Sequence, residues 1–172
     1  NSNEYGTNTC FEQSGWLNYH FNFKVGRVDI LFVVDNSGSM YTEQTQMGDR
    51  FPNLLSQIAS LDYQISMVTT DISASPGNSV ARSANGYGSL QDGKFIKFPS
   101  GDYILNPMIP DVASQFRQTI RRNETLTCDN TSYADCPSGD ERGIYALNMA
   151  LDRADARFFR QDSHLAVVIL AD

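Results

Sequence analysis

Asp35, Ser37 and Ser39 alternate through the turn Asp35-Asn36-Ser37-Gly38-Ser39-Met40. That spacing aims one carboxylate and two hydroxyl oxygens at a common point, and Gly38 lets the backbone bend closely past it. Hard oxygen donors in partial number, with waters completing the shell, suit Mg2+. Ca2+ asks for more carboxylates and looser geometry; Ca2+ and Mn2+ stand as alternative occupants. Capping of the following helix would account for one of the three side chains, not for their alternation. A further carboxylate, Asp172, directly follows the apolar run Leu165-Ala166-Val167-Val168-Ile169-Leu170-Ala171.

These groups need elements that deliver them to one place. Val28-Asp29-Ile30-Leu31-Phe32-Val33-Val34 is nearly all apolar, as in a strand buried on both faces at the centre of a parallel sheet. The run ending at Ala171 reads as a second such strand. A helix is expected from the Asp35 turn to about Leu61, on Phe51, Leu54, Leu55, Ile58 and Leu61, with Pro52 kinking or restarting it. A strand over about Tyr63 to Thr69 follows, and then a loop-like stretch from Asp71 to Asp92. Asp92-Gly93 signals a hairpin turn. Pro110-Asp111 opens a helix with Val112, Phe116 and Ile120 on one face. Ile144, Leu147, Leu151, Ala154 and Phe158 mark another. Strands alternating with helices predict an α/β fold with a doubly wound, mainly parallel central sheet flanked by helices. In such a sheet ligands bind beyond the carboxyl ends of the strands, which is where Asp35 and Asp172 fall. Asp71, after Val68-Thr69-Thr70, reaches the same edge as a residue behind the ligands, or else caps its loop.

Val33-Val34-Asp35-Asn36-Ser37-Gly38-Ser39-Met40 resembles the DxSxS motif of von Willebrand factor type A domains, flanking strand included. The likeness covers about residues 28–172. It implies a metal-ion-dependent adhesion site in which Asp35, Ser37 and Ser39 hold the ion and Asp172 completes it from the end of the fourth core strand. The family adds a Thr from a later loop. Counting back from Ala146-Leu147, Glu141 falls where that Thr would be, within Ser138-Gly139-Asp140-Glu141-Arg142-Gly143. Glu141 is thus a candidate ligand and Asp140 a supporting neighbour, unless both only favour a helix N-terminus. The family sheet also continues beyond the strand ending at Asp172, so further polypeptide is expected to belong to the domain.

The remaining features bound the class. The 172 residues suffice for one domain with a real core, and 41% hydrophobic against 19% charged residues is ordinary for a globular protein. The organisation expected is an N-terminal extension, residues 1–27, packing through a strand over Tyr19 to Val25 on a main domain, residues 28–172, with insertions at 72–109 and 124–139. A net charge of −7 disfavours nucleic acid and welcomes cations. No apolar run approaches the ~20 residues of a membrane span, and the start at Asn1 reads as a mature or engineered one. Of three cysteines, Cys128 and Cys136 bracket a short polar loop suited to a disulfide. That points to an extracytoplasmic setting (secreted, cell surface or periplasmic), of which a bacterial surface or periplasm is the one favoured, and leaves Cys10 free or paired with a cysteine outside this chain.

Catalytic signatures are lacking. His20 and His164 lie in no motif, no G-x-S-x-G elbow frames a serine, and no Gly-rich loop precedes a Lys. The expectation is a secreted adhesion or protein-binding module whose metal takes a carboxylate from a partner protein. A structural or sensor domain with the metal filled from within is the alternative, and a metal-dependent hydrolase a weaker one.

Overall fold

A computed structural model describes residues 11–13, 16–18, 26–72, 91–130, 142–153, 155 and 157–172; of 11–13, 16–18 and 127–130 it describes the backbone alone. The expected strand over Tyr19 to Val25 lies outside these residues. Nearby, β1 (Phe11–Gln13) and β2 (Trp16–Asn18) pair antiparallel.

Among the described residues the main sheet is parallel and three-stranded. β3 (Arg27–Val34) is central, between β4 (Asp62–Thr69) and β5 (His164–Leu170). The registers Val34↔Thr69 and Val34↔Leu170 bring the carboxyl ends of all three strands level. Helices cover both faces because β3 is apolar on both. Ile30, Phe32 and Val34 pack with Phe51 of α1 (Tyr41–Ile58) and Phe116 of α2 (Val112–Ile120). The Phe51 and Phe116 rings stack at 3.6 Å, and Phe32 meets Phe116 edge-on at 4.7 Å. Leu31 and Val33 pack instead with Ala146 and Ala150 of α4 (Gly143–Arg153). This is an α/β architecture with a small parallel sheet between helix layers.

Several expectations need correction. α1 does not restart at Pro52 but continues through it, with the fully buried Phe51 beside the proline packed against α2. The Asp92-Gly93 turn forms, but the arm after it is not a ladder strand, and residues 89–90 before it lie outside those described. Instead Ile96 N donates to Met67 O, and Leu105 exchanges both backbone hydrogen bonds with Ile65. The later part of the 72–109 insertion therefore covers the free edge of β4, with Ile96, Phe98 and Leu105 in the core. The start of the 124–139 insertion is a helix, α3 (Asn123–Asn130). α4 buries Gly143, Ala146 and Ala150, while Ile144 and Leu151 face solvent at 61% and 37% exposure. The small residues win because they let α4 approach the sheet closely. Phe158 is buried, but in the turn after α4, against Phe95 and Phe159. β5 is not fully buried: Leu165, Val167 and Ile169 are 43%, 37% and 43% exposed, since β3 is its sole partner among the described residues.

One turn carries a sharp prediction. Gly93 has φ +70, and a Cβ there would lie 2.5 Å from the backbone nitrogen of Ala150. Both the torsion and the approach demand glycine. Gly93→Ala should lower stability by about 2–3 kcal/mol, read from the urea midpoint. An unchanged or raised midpoint would refute the close seating of this turn on α4.

Candidate metal-binding site

Parallel strands end their hydrogen-bond ladder together, so the residues just past them share one edge. Asp35 N donates to Leu170 O at 2.9 Å, and Thr70 N donates to Val34 O at 3.0 Å. Asp35, Thr70 and Asp71 therefore emerge side by side, with Asp172 two residues past Leu170 on the opposite flank. Gly143 opens α4 at this same edge: a Cβ on it would sit 3.3 Å from Ile169 Cγ2 and 3.7 Å from Thr70 Cγ2. Glu141 and Asp140 precede it and lie outside the described residues, as does Cys136. Cys128 falls on α3.

Asp35 is fully buried, and its carboxylate is half satisfied. Oδ1 accepts the Ser37 amide at 2.8 Å, folding the loop into a tight turn. Oδ2 is buried and completes no hydrogen bond. The neighbouring Thr70 hydroxyl is likewise buried without one. Burial pushes the Asp35 carboxyl above the ordinary range, and the charge of Asp172 pushes the same way. The Ser37 amide and hydroxyl and the Thr70 hydroxyl draw it back down. Ser37 and Ser39 hydroxyls meet at 3.2 Å. Neither helix-capping reading holds, because Ser37 precedes the short 3-10 turn Gly38–Met40 without a side-chain cap, and α1 begins after Met40 without one. Asp71 is buried, and its carbonyl accepts Asp92 N at 3.3 Å, tying the β4 end to the Gly93 turn.

The backbone of the loop is held from behind by residues the sequence did not single out. Gln44 Nε2 donates to Asp35 O at 2.8 Å and to Thr125 Oγ1 at 2.9 Å. The Thr125 hydroxyl donates to Asn36 O at 2.8 Å. Asn36 Nδ2 donates to Glu124 Oε1 at 3.2 Å, which Arg122 Nε also reaches at 2.7 Å. Arg122 N in turn donates to Gln44 Oε1 at 3.0 Å. Each of these hydrogen bonds removes a freedom from the loop that carries Asp35, Ser37 and Ser39. One available signal was Gln44 itself, a long polar side chain on the inward side of α1.

A buried carboxylate whose second oxygen completes no well-formed hydrogen bond, with the Thr70 hydroxyl beside it as its weak neighbour, is expensive unless something electropositive satisfies it. The donor chemistry fits a hard divalent cation held by Asp35 with the Ser37 and Ser39 hydroxyls, the Thr70 hydroxyl and Asp172 at its flanks. Among the described residues no three His, Cys, Asp or Glu side chains converge. A cation here is therefore one whose shell uses hydroxyls and water as well as carboxylates. No family model, curated protein or solved structure matches the chain, and the site rests on its own geometry.

Proposed function

We propose that this chain is a divalent-cation-dependent protein-binding module of the von Willebrand factor type A kind, working outside the cytoplasm. The observation that carries the reading is Asp35 Oδ2, buried and unpartnered where DxSxS ends a central parallel strand. The strand order β4-β3-β5 with helices on both faces supports the doubly wound sheet of that family. Among the described residues no helix is long and apolar enough to cross a membrane. A Cys128–Cys136 disulfide belongs to the same reading.

Mg2+ bound at this edge would supply a positive centre with room for one carboxylate from a partner protein. The chain's own residues do the rest. Asp35 supplies charge, Ser37 and Ser39 supply neutral donors that leave the ion electrophilic, and the Gln44 and Thr125 contacts keep the loop from collapsing when the ion leaves. Glu141 in place of the family threonine would add negative charge and tighten the ion at the expense of its pull on a partner.

Calorimetry tests this at two levels. Mg2+ titrated into the protein should bind at one site. A short peptide bearing a single Asp should tighten that binding, since coupling between two ligands is reciprocal. No binding would refute the metal site; binding that the peptide leaves unchanged would refute the open position. The affinity should also depend on pH in a set direction. Asp35 has a raised pKa, so protons compete with Mg2+ at pH values above its ordinary 3.8. Below that raised pKa the affinity should fall about tenfold per pH unit, with protons released on binding above it suppressed. A profile that stays flat as pH falls through 3.8 would remove Asp35 as a ligand.

A further inference from the structure

Away from the strand ends, the segment after Gly93 and the flank of α4 enclose an open cavity of about 880 Å3. Its charge is opposite to that of the chain. Lys94, Lys97, Arg153 and Arg157 line it against one carboxylate, Asp155, whereas the whole protein carries −7. Arg157 already grips Asp155 with two nitrogens, at 3.0 and 2.7 Å, so that carboxylate is spent. Arg153 uses Nε on Asp92 O at 3.0 Å, leaving the rest of its guanidinium. Among the described residues neither lysine ion-pairs with a carboxylate; Lys97 Nζ rests 5.9 Å over the Tyr103 ring.

The backbone beside these cations resembles the rim of a sheet. Ile96 N turns inward to Met67 O of β4, at 2.8 Å. Its neighbours Phe95 and Lys97 make no backbone hydrogen bond among the described residues. A segment that leaves backbone groups unpaired among the described residues, flanked by lysines, offers hydrogen bonds and charge to an extended chain. The aromatic faces are unsuited to sugar rings, since Lys97 covers Tyr103 and Phe95 packs edge-on with Phe158 at 5.1 Å.

We infer that this cavity binds an acidic peptide segment of a partner protein, laid along residues 94–98 with its carboxylates on Lys94, Lys97 and Arg153. The contact does not pass through the cation site at Asp35, and so does not rest on that reading. The probe is fluorescein-labelled hexaglutamate, followed by anisotropy in EDTA at low salt, with hexalysine as control. Saturable binding of hexaglutamate alone is expected, weakened by added salt. K94E/K97E should weaken it at least tenfold, while Asp35→Asn leaves it unchanged. Both lysines are exposed, and circular dichroism of the double variant checks that it folds. Three results overturn the proposal: no saturable binding, binding indifferent to K94E/K97E, or displacement by a heparin hexasaccharide at lower concentration than unlabelled hexaglutamate. Binding that vanishes in EDTA but appears with Mg2+, and is lost in Asp35→Asn, assigns the peptide to the metal edge and overturns it too.

Discussion

Asp35→Asn should weaken Mg2+ binding by roughly 100-fold or more and, in the same protein without metal, raise the melting temperature. The two effects have one cause. The carboxylate is buried with Oδ2 unpartnered, and its desolvation is what lifts its pKa. At pH 7 the folded protein must keep a charge there that unfolding would hydrate. The amide keeps the shape and the hydrogen bond from the Ser37 amide, yet carries no charge. Removing the charge should contribute about 1–2 kcal/mol, or about 3–6 °C in a domain of this size. The sign can be checked by pH. A carboxyl whose folded pKa is raised costs stability above that pKa, and the cost disappears as pH falls towards 3.8. The gap between variant and parent melting temperatures should therefore shrink on acidification. Mg2+ should raise the parent's melting temperature and leave that of the variant alone. A variant that melts lower in EDTA, or still responds to Mg2+, would show that Asp35 serves the fold and not an ion.

The largest loss of stability should come from the opposite end of the sheet. Asp29 sits inside β3 at 1% exposure. Arg160 holds it through Nε at 2.8 Å and backbone N at 3.0 Å, and the Ser163 hydroxyl donates to it as well. Arg160 also reaches Asp62 at 2.7 Å and its carbonyl at 2.8 Å, joining β3 to the start of β4. Arg160→Ala would leave the buried Asp29 carboxylate without its counter-charge, held only by the residue-160 amide and the Ser163 hydroxyl, which costs about 3–5 kcal/mol. Urea denaturation measures this directly. Removing both charges, in Asp29→Asn with Arg160→Met, should restore much of the loss, because an absent pair avoids the desolvation that a broken one suffers. Asp62 adds a pH signature. Arg160 and, to a smaller extent, Arg27 lower its pKa, so its support is present above 3.8 and fades as pH falls below, a dependence that Arg160→Ala should weaken and Arg27 should partly keep. An Arg160→Ala protein as stable as its parent would show that the Asp29 carboxylate finds water or another donor.

The elements that hold the site were readable because their signals are local. The apolar runs gave β3, β4 and β5 to within a residue or so, and the i, i+4 pattern of Val112, Phe116 and Ile120 gave α2 and its buried face. DxSxS after a buried strand singled out Asp35, Ser37 and Ser39 as candidates, and the structure gathers them in one loop past β3. What escaped depends on partners far away in sequence. Asn36 finds Glu124 across 88 residues and Gln44 finds Thr125 across 81, and no short window contains both. Asp29 interrupts an otherwise apolar run, and its partner Arg160 lies 131 residues away. α4 misled because hydrophobicity was scored over size: the sheet selects Gly143, Ala146 and Ala150 for closeness and leaves Ile144 outside. β5 misled because composition reports how apolar a strand is, not how many neighbours it has.

The Asp29–Arg160 clamp also sets a clock for synthesis. Its two halves are 131 residues apart. At about 5–20 residues per second, Asp29 and the apolar strand around it are made roughly 7–26 s before Arg160 is. For that interval the nascent chain carries an aggregation-prone strand with a charge in its middle that nothing yet neutralises. The carboxylate that is costly unpaired in the folded core is hydrated in the nascent chain, so the cost of burying it arises only when Arg160 can meet it.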